Sequence, residues 1–524
     1  MKKLLTGLAV LCYAACISSL IGCTSVPKTV NSAKKEKART VITTDGEVDD
    51  RDSFIRALLY SNDMDIAGII LTSSMYHYAG DSDKGIEPFR WTGTQWMYDF
   101  IDDYGKVYKN LKSHDKDYPS PSYLKSVTKI GNIKNKGEME EVTEGSVFLE
   151  KLFLDNDPRT LYVQTWGGTN TTARALKSIE EKYSSTDKWE SIRQKIYDKL
   201  IIYIILDQDE SYSDYIAKAW PDLCIINDRS NFWQFAYAWQ MHSEELNDTL
   251  KSSWCFDNLV DNKGPLMEDY ALMGDGKYIE GEDYEEQRGI DNYLEKNPNY
   301  VKYDFISEGD SPSFLYLVDN GLRSMEDPSY GGWGGRFGKA GDKLYSNNVV
   351  DYDIYTKQNE AQYTLTRWIT DMQNDFAGRI EWTLTSDDKV VNHAPSASVI
   401  QGLDITARAG ENVTLTASAY DKDGDNLSYK WWRYFEADTY NDGASLGDAE
   451  EVKFGTMLFN VTQKVTSGEK SLNKISLTGA DTKEVSFTVP SDAKSGDTIH
   501  IILEVKDDGK HTLKSYQRVI ITVE

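Results

Sequence analysis

Four acidic side chains lie within six positions near the start of the chain, directly after a short β-branched run. They are Asp45, Glu47, Asp49 and Asp50, and the run before them is Val41–Thr44. Carboxylates this close repel one another, so a positive group must offset their charge. Because clustered oxygen ligands suit a hard cation, these residues predict a Ca²⁺ site. The alternative is an acidic helix start, in which Asp49 and Asp50 only complement the helix dipole.

The cluster lies where a predicted strand ends and a predicted helix begins. From about Arg39 to Trp382, short apolar runs alternate with amphipathic stretches. This alternation predicts an α/β fold in which helices cover both faces of a mostly parallel sheet. Ligands bind at the carboxyl ends of the strands in such sheets, which is where the cluster falls. The predicted strands are Val41–Thr44, Ile66–Thr72, Leu161–Thr165, Leu200–Leu206 and Leu223–Ile226, and the predicted helices are Asp50–Tyr60, Thr169–Tyr183 and Tyr212–Trp220.

The sequence after Asn392 has a different pattern, in which alternating β runs are separated by turns. This pattern predicts an all-β sandwich of immunoglobulin-like type. The segment DKDGD at 421–425 can hold Ca²⁺, although we expect only an exposed acidic turn. Trp431 and Trp432 point to opposite faces of one strand, so we expect one in the core and the other either against sugar or against the main domain. The predicted strands are Ser396–Ile400, Val413–Tyr420, Leu427–Tyr434, Glu484–Val489, Thr498–Val505 and Tyr516–Val523.

The N-terminus has the features of an export signal. Lys2 and Lys3 precede a short apolar run that closes on LIGC at residues 20–23, and such an arrangement is typical of secretory signals. LIGC resembles a bacterial lipobox and predicts an exported lipoprotein, anchored to a membrane through lipidated Cys23, on the periplasmic side or the cell surface of a bacterium. The predicted segments are a signal peptide at 1–22, the lipidated Cys and a tether at 23–38, the α/β domain at 39–391 and the β-sandwich at 392–524.

Charge and aromatic content favour one class of partner over another. The formal net charge is −26, which argues against nucleic acid, because nucleic-acid binding favours a basic face. The chain also holds 13 Trp and 33 Tyr residues, and exposed aromatic rings stack on sugar rings. An acidic, aromatic-rich exported protein therefore fits contact with glycans.

The cysteines and histidines predict no transition-metal site. Beyond Cys23 the cysteines are Cys224 and Cys255, which lack the spacing of zinc ligands. Sequence does not give the distance between them, so a disulfide is left open. The six histidines are scattered at positions 77, 114, 242, 393, 500 and 511.

Further segments carry groups that can join the acidic cluster. TWGGTN at 165–170 follows a predicted strand, and its glycines permit a tight turn against a ligand. Thr169 of this segment can cap the next helix. SEGDSP at 307–312 contains an acidic pair, and the Gly-rich run YGGWGGRF at 330–337 follows soon after. Each motif alone is common in proteins.

In combination, these motifs resemble those of the nucleoside hydrolases. The phrases TDGEVDDRDSF, WGGTN and EGDSPSFL and the trailing sandwich are similar to bacterial exported proteins described as cellulose-binding and nucleoside-hydrolase-like. The resemblance implies that Asp45, Asp50, Thr169 and Asp310 hold Ca²⁺. It also implies that Asp45 is the base that activates a water molecule and that Asp49 binds a sugar hydroxyl.

The chain departs from the nucleoside hydrolase pattern in ways that affect the substrate. Thr43 stands where that family has an aspartate, and Gly46 begins a pair that replaces Pro-Gly. Gly309 replaces a histidine that can assist departure of the base. We therefore expect the part of the site that binds metal and sugar to be retained, and the part that contacts the leaving group to be rebuilt. The remaining candidates for substrate binding are Asn170, Glu308, Trp166 as a stacking platform, and Trp333 and Arg336 in the rebuilt part, with structural packing as the alternative for the last three.

These observations predict a calcium-assisted hydrolase that cleaves a glycosidic bond in a carbohydrate. One alternative is a non-catalytic protein that binds cellulose or another glycan on the same fold. The other alternative is a true nucleoside hydrolase. The expected partners are a carbohydrate and a membrane, not nucleic acid, and the oligomeric state is left open because nucleoside hydrolases commonly assemble.

Overall fold

The computed structural model describes residues 36–441, 449–454, 457–462 and 475–524. The predicted signal peptide, the predicted lipidation at Cys23 and nearly all of the predicted tether lie outside the described residues. Lys37–Glu524 form one compact unit. Within the described ranges, no helix combines the length and the apolar character needed to cross a membrane.

A mostly parallel sheet of eight strands forms the centre of the α/β region. Its strands are β1 (Ala38–Thr44), β2 (Met64–Leu71), β3 (Thr128–Ile130), β4 (Leu161–Thr165), β5 (Leu200–Ile205), β6 (Cys224–Asp228), β7 (Gly338–Lys339) and β8 (Leu344–Ser346). The spatial order is β3-β2-β1-β4-β5-β6-β8-β7, and all neighbours are parallel except β7 and β8. β1 and β4 are buried along their whole length, as expected for strands covered on both faces.

Helices cover both faces of this sheet and separate two apolar cores. Val41 belongs to one core and its neighbour Ile42 to the other, because successive side chains of a strand point to opposite faces. The predicted α/β fold is therefore confirmed. The helices are α1 (Val48–Leu59), α2 (Trp96–His114), α3 (Pro121–Val127), α4 (Glu144–Leu154), α5 (Asn170–Tyr183), α6 (Trp189–Lys199), α7 (Ala217–Ala219), α8 (Asn231–Gln234), α9 (Ser252–Cys255), α10 (Asp291–Lys296), α11 (Ser311–Leu315), α12 (Tyr363–Thr366) and α13 (Ile369–Leu384).

The C-terminal part is all β, as predicted. One sheet has the order β11-β13-β17, and the other has the order β12-β19-β18-β14. Their inward side chains share one core that includes Val413, Trp431 and Ile501, which is the packing of a β-sandwich. The strands are β9 (Asp351–Asp353) and β10 (Gln358–Glu360), which form a small separate sheet, β11 (Ser396–Val399), β12 (Asp404–Ala407), β13 (Asn412–Tyr420), β14 (Ser428–Arg433), β15 (Ala449–Phe454), β16 (Met457–Thr462), β17 (Glu484–Thr488), β18 (Thr498–Lys506) and β19 (Lys514–Val523).

The sandwich packs against the α/β region through aromatic and charged side chains. Trp431 lies in the sandwich core, whereas the ring of Trp432 lies 6.2 Å from that of Trp368 in the α/β region. The indole nitrogen of Trp432 donates a 2.8 Å hydrogen bond to Glu504. Of the two roles left open for the second tryptophan, the structure shows packing on the main domain.

The structure also answers the question of the disulfide. Cys224 and Cys255 are both free, and Cys255 is buried. The stability of the described fold therefore rests on packing and polar contacts rather than on a link between these two cysteines.

Candidate active site

The acidic cluster is built by the end of β1 and the first turn of α1. Asp45 follows the last residue of β1, and Gly46 turns the chain with a φ of +88°, a conformation that L side chains rarely adopt. α1 then begins at Val48 and places Asp49 and Asp50 in its first turn. The strand and helix predicted around these residues are thus confirmed.

A third aspartate reaches the cluster from a distant part of the chain. Asp310 is the residue before α11. One carboxylate oxygen from each of Asp49, Asp50 and Asp310 lies within 4.8 Å of the others, and all three side chains are buried. The structure therefore brings together these predicted site residues, with Asp49 rather than Asp45 as the third member of the closest group.

Several carboxylate oxygens of the cluster are buried without a hydrogen-bond partner. They are both oxygens of Asp45, both oxygens of Asp310 and Oδ1 of Asp49. Asp50 differs, because its Oδ1 accepts hydrogen bonds from the Thr44 hydroxyl at 2.5 Å and from the Asp45 amide at 3.1 Å. Buried charges without partners are costly, and an all-oxygen donor set of this kind fits Ca²⁺.

The electrostatics of the cluster point the same way. Burial raises the pKa of Asp49 well above its usual range, and repulsion from Glu47 and Asp45 adds to this effect. Burial, followed by repulsion from neighbouring aspartates, likewise raises the pKa values of Asp50 and Asp310. Within the described residues, no Lys, Arg or His forms a salt bridge with Asp49, Asp50 or Asp310. A divalent cation would supply the missing positive charge.

A histidine that the sequence did not indicate lies beside the cluster. His77 Nδ1 is 4.0 Å from Asp45 Oδ2 and 3.7 Å from Glu47 Oε2, while its Nε2 is 3.0 Å from Glu282. Arg90 donates hydrogen bonds to both Glu47 and Glu282. Burial alone would raise the pKa of Glu282, but hydrogen bonds from His77 and Arg90 lower it to about 2.

A cavity of about 490 Å³ lies over this side of the cluster. Glu47 forms part of its wall, which joins it to the turn that carries Asp45. The rest of the wall mixes aromatic and charged side chains, as in sites that hold a small polar ligand. The other lining residues include Tyr76, Arg90, Gln208, Phe232, Trp233, Tyr237 and Arg288.

The WGGTN turn supports the cluster from below. A Cβ on Gly167 would lie 2.9 Å from the Asp45 side chain, so only glycine fits there. The Thr169 hydroxyl donates to Asp209, and the Thr169 carbonyl accepts the amide of Ala173. In the described contacts both oxygens of Thr169 thus already have a hydrogen-bond partner in the protein. The predicted role of Thr169 as a metal ligand stays a prediction.

Three residues predicted to bind substrate are buried in contacts with other protein side chains. Asn170 is fully buried and bonds to Thr72, to Ser73 and to the Asn132 carbonyl. Trp166 is fully buried, and its indole nitrogen donates to Ser313 at 2.8 Å, so it offers no exposed face for stacking. Glu308 is fully buried in an ion pair with Arg56. All three are enclosed by protein contacts in this structure, and their role in substrate binding stays a prediction.

The Gly-rich run also lies away from the cavity. Trp333 is 3% exposed and belongs to the main apolar core. Arg336 forms a buried ion pair with Asp351 at 2.7 Å, next to the sandwich residue Tyr434. Both residues therefore pack the protein in this structure, and the prediction that they form the rebuilt part of the site stays a prediction. The aromatic residues that do line the cavity, Trp233 and Tyr237, carried no distinctive motif.

Phe232 explains why glycine stands at position 309. A Cβ on Gly309 would lie 2.3 Å from the Phe232 ring. A histidine cannot occupy this position while Phe232 keeps its place in the cavity wall. An aromatic ring from α8 thus fills the space next to Gly309 and forms part of the cavity wall.

Comparison with known proteins places this geometry in a family. Residues 39–337 match the family model described as "Cellulose-binding Sde182, nucleoside hydrolase-like domain", and residues 412–523 match "Cellulose-binding protein Sde0182, C-terminal domain". The chain is similar to a solved nucleoside hydrolase-related protein of Saccharophagus degradans, described as associated with carbohydrate metabolism. That likeness has 24% identity and a TM-score of 0.66 over 93% of this chain and 100% of the other. A plant nucleoside hydrolase is similar at 11% identity and a TM-score of 0.32, over 67% of this chain and 100% of the other. No curated protein matches the chain.

Proposed function

The chain belongs to the family of cellulose-binding proteins with a nucleoside hydrolase-like domain, and on that premise we propose that it hydrolyses a glycosidic bond in a carbohydrate with the help of Ca²⁺. The bound carbohydrate lies in the cavity lined by Trp233 and Tyr237. The protein acts outside the inner membrane, as a lipoprotein held by Cys23.

One observation carries this proposal. Five carboxylate oxygens of Asp45, Asp49 and Asp310 are buried without a partner, and Glu47 of the same cluster lines a cavity of about 490 Å³. A cluster with only a structural role would destabilise the fold, because each buried polar group without a partner costs about 1–3 kcal/mol, and a charged group costs more. A ligand and a cation that use these oxygens account for their retention.

The side chains divide the work between holding and reacting. Asp49, Asp50 and Asp310 would hold Ca²⁺, which supplies positive charge that orients a sugar diol and polarises an attacking water molecule. Asp45 has both oxygens free to take a proton from that water molecule. The negative carboxylates around the sugar stabilise the oxocarbenium character that develops as the glycosidic bond breaks.

His77 lies next to Asp45 and adds to its electrostatic surroundings. It is fully buried between Asp45, Glu47 and Glu282. Its hydrogen bond with Glu282 and the nearby acidic groups raise its pKa, although burial acts in the opposite direction. His77 is therefore a positioning residue at the edge of the cluster, beside Asp45 and Glu47.

A second candidate function is binding without hydrolysis. The observation that favours it is the Phe232 ring, which leaves no room for a side chain at Gly309 to assist the leaving group. The site would then grip a cellulose-like glycan through the same cavity. This second function differs from the first only in turnover.

The test is incubation of the purified chain with nucleosides and with cellulose-derived and other plant or microbial oligosaccharides, in Ca²⁺ and in chelator. We expect the unchanged chain to release a sugar from an oligosaccharide in a Ca²⁺-dependent way. We expect the Asp45→Asn variant to release no measurable sugar under the same conditions. The matched control is Asp304→Asn, which changes a buried carboxylate outside the acidic cluster that accepts hydrogen bonds from the amides of Val301 and Ser252. Retention of oligosaccharide without any release would establish the binding function instead.

A further inference from the structure

Two histidines and an aspartate from three separate segments meet where the α/β region joins the sandwich. His114 is the last residue of α2, Asp388 follows α13, and His393 precedes β11. Asp388 Oδ1 lies 3.2 Å from His114 Nδ1 and 3.1 Å from His393 Nε2. The three facing atoms all lie within 4.8 Å of one another.

The other nitrogen of each imidazole is already committed as a donor. His114 Nε2 lies 2.7 Å from the Thr385 carbonyl, and His393 Nδ1 lies 3.0 Å from an Asp423 carboxylate oxygen. A carbonyl and an ionised carboxylate only accept hydrogen bonds, so each ring carries its proton on that side. The remaining nitrogens, His114 Nδ1 and His393 Nε2, both face Oδ1 of Asp388.

A metal ion among these three atoms would let both ring nitrogens and the carboxylate oxygen act as ligands at once. The separations of 3.1 and 3.2 Å match the edge of a tetrahedron of ligands, roughly 3.3 Å for bonds of about 2.0–2.1 Å to a zinc ion. Ring nitrogens of zinc ligands also donate their other N–H to a carbonyl or a carboxylate. Thr385 and Asp423 provide those two acceptors here.

The rings are held in place before any ion arrives. Trp382 packs against both imidazoles, with ring centroids 5.6 Å from His114 and 5.0 Å from His393. The His114 side chain is fully buried, whereas the Asp388 side chain is 42% exposed. The cluster is thus rigid on one side and open to solvent on the other.

We propose that His114, Asp388 and His393 bind a divalent transition metal, with Zn²⁺ the best match, and that water completes the coordination. The ion joins the end of α2, the segment after α13 and the start of the sandwich, and so fastens the two parts of the protein together. The cavity and the acidic cluster described above are built from other residues. This site is a second and chemically different metal site, with nitrogen ligands in place of an all-oxygen set.

Lys422 is the competing cation. Its ammonium group lies 2.6 Å from Asp388 Oδ2, donates a 2.7 Å hydrogen bond to Asp388 Oδ1, the oxygen that faces both imidazoles, and lies 3.4 Å from His393 Nε2. The Lys422 side chain is 44% exposed, and the described contacts give it no bond to His114. It therefore offsets Asp388 without satisfying both imidazoles, and a metal ion displaces it outward.

The test is a titration of the purified, metal-free full chain with Co²⁺, followed by displacement with Zn²⁺. We expect one visible Co²⁺ absorption of a four- or five-coordinate site, lost on addition of Zn²⁺, and a raised unfolding temperature. Asp388→Asn changes an exposed side chain and should weaken Co²⁺ binding by at least about 10-fold. Lys422→Ala should tighten Co²⁺ binding, because it removes the competing charge.

Two controls separate this site from other ligands in the chain. His511→Gln changes a different histidine, which faces Glu381, and Asp310→Asn removes a carboxylate of the acidic cluster. Both variants should keep the Co²⁺ absorption. The proposal is overturned if neither the wild-type chain nor Lys422→Ala shows the absorption, or if Asp388→Asn leaves the affinity unchanged.

Discussion

Arg56 donates hydrogen bonds to both carboxylate oxygens of Glu308, and neither side chain is exposed to solvent. Arg56 lies on α1, the helix that begins with Asp49 and Asp50. Glu308 precedes Asp310 by two residues. The ion pair therefore holds together the two segments that supply the acidic cluster, although it does not itself face the cavity.

Glu308→Gln should destabilise the protein strongly. The substitution leaves the buried guanidinium of Arg56 without its counter-charge, and loss of one partner of a buried ion pair costs about 3–5 kcal/mol. Tyr270 and Ser311 also donate to Glu308, one to each carboxylate oxygen, so one of the two hydroxyls would face the amide NH2 of Gln in place of an acceptor. Denaturant unfolding measures the loss. Arg193→Gln, which breaks an exposed pair with Glu190, should cost no more than about 1 kcal/mol, and equal losses in the two variants would contradict the account.

Gly309→Ala should destabilise the protein because its new methyl group meets the Phe232 ring. The expected loss is about 1–3 kcal/mol, the usual cost of overpacking a core. Phe232→Leu alone loses apolar contacts, yet it should reduce the cost of Gly309→Ala when the two are combined. A double-mutant cycle of unfolding free energies measures this coupling. Strict additivity would show that Phe232 does not set the identity of position 309.

Asp45→Asn should separate turnover from metal binding. Loss of a general base lowers a rate by about 10²–10⁴-fold, and Asp45 lies outside the closest group of carboxylates. Asp310→Asn should instead weaken Ca²⁺ binding, because it removes a member of that group. Calorimetric titration with Ca²⁺ and initial rates of sugar release give the two quantities. Equal loss of Ca²⁺ affinity in the two variants would make Asp45 a metal ligand rather than the base.

The stabilisation that Ca²⁺ gives should grow as pH rises. Burial and mutual repulsion raise the pKa values of Asp49, Asp50 and Asp310 in the metal-free fold. A carboxyl with a raised folded pKa favours the fold below its unfolded pKa of about 3.9, and this contribution is lost as pH rises through the folded pKa. Bound Ca²⁺ offsets the carboxylate charges that cause this loss of stability. At higher pH fewer protons compete with Ca²⁺ for the carboxylates.

Thermal unfolding with Ca²⁺ and with chelator measures this effect, at pH values of about 5 and about 8. The difference between the two unfolding temperatures should be larger at the higher pH. Asp304→Asn should show the same trend as the unchanged chain, whereas Asp310→Asn should lose most of it. An equal difference at both pH values would contradict a Ca²⁺ site built from these aspartates.

The parts of the site that sequence predicted are those that depend on local order. Asp45, Asp49 and Asp50 lie between a strand and a helix, so their common location follows from the alternating pattern alone. Asp310 was added by resemblance, because no local rule places it beside α1. The helix α2 was not among the predicted helices. It buries Met97, Ile101 and Tyr104, whose spacing in the sequence is that of one helix face.

Sequence reasoning could not give the surroundings of a side chain where long-range packing decides them. Trp166 follows a strand in a motif that suggested a ligand, yet it is buried against Ser313, a residue 147 positions away. His77 and Glu282 are 205 positions apart and met only in the fold. His114 and Asp388, separated by 274 positions, likewise meet only in the fold, so their proximity could not be predicted from the sequence.

The most direct test of the proposed function compares Ca²⁺ occupancy with the rate of sugar release in one preparation. The account predicts that release from an oligosaccharide rises with Ca²⁺ and that its midpoint equals the midpoint of direct Ca²⁺ binding. It also predicts that chelator abolishes release and that restored Ca²⁺ recovers it. Release that chelator leaves unchanged, or full Ca²⁺ binding with no release from any oligosaccharide, would contradict calcium-assisted hydrolysis.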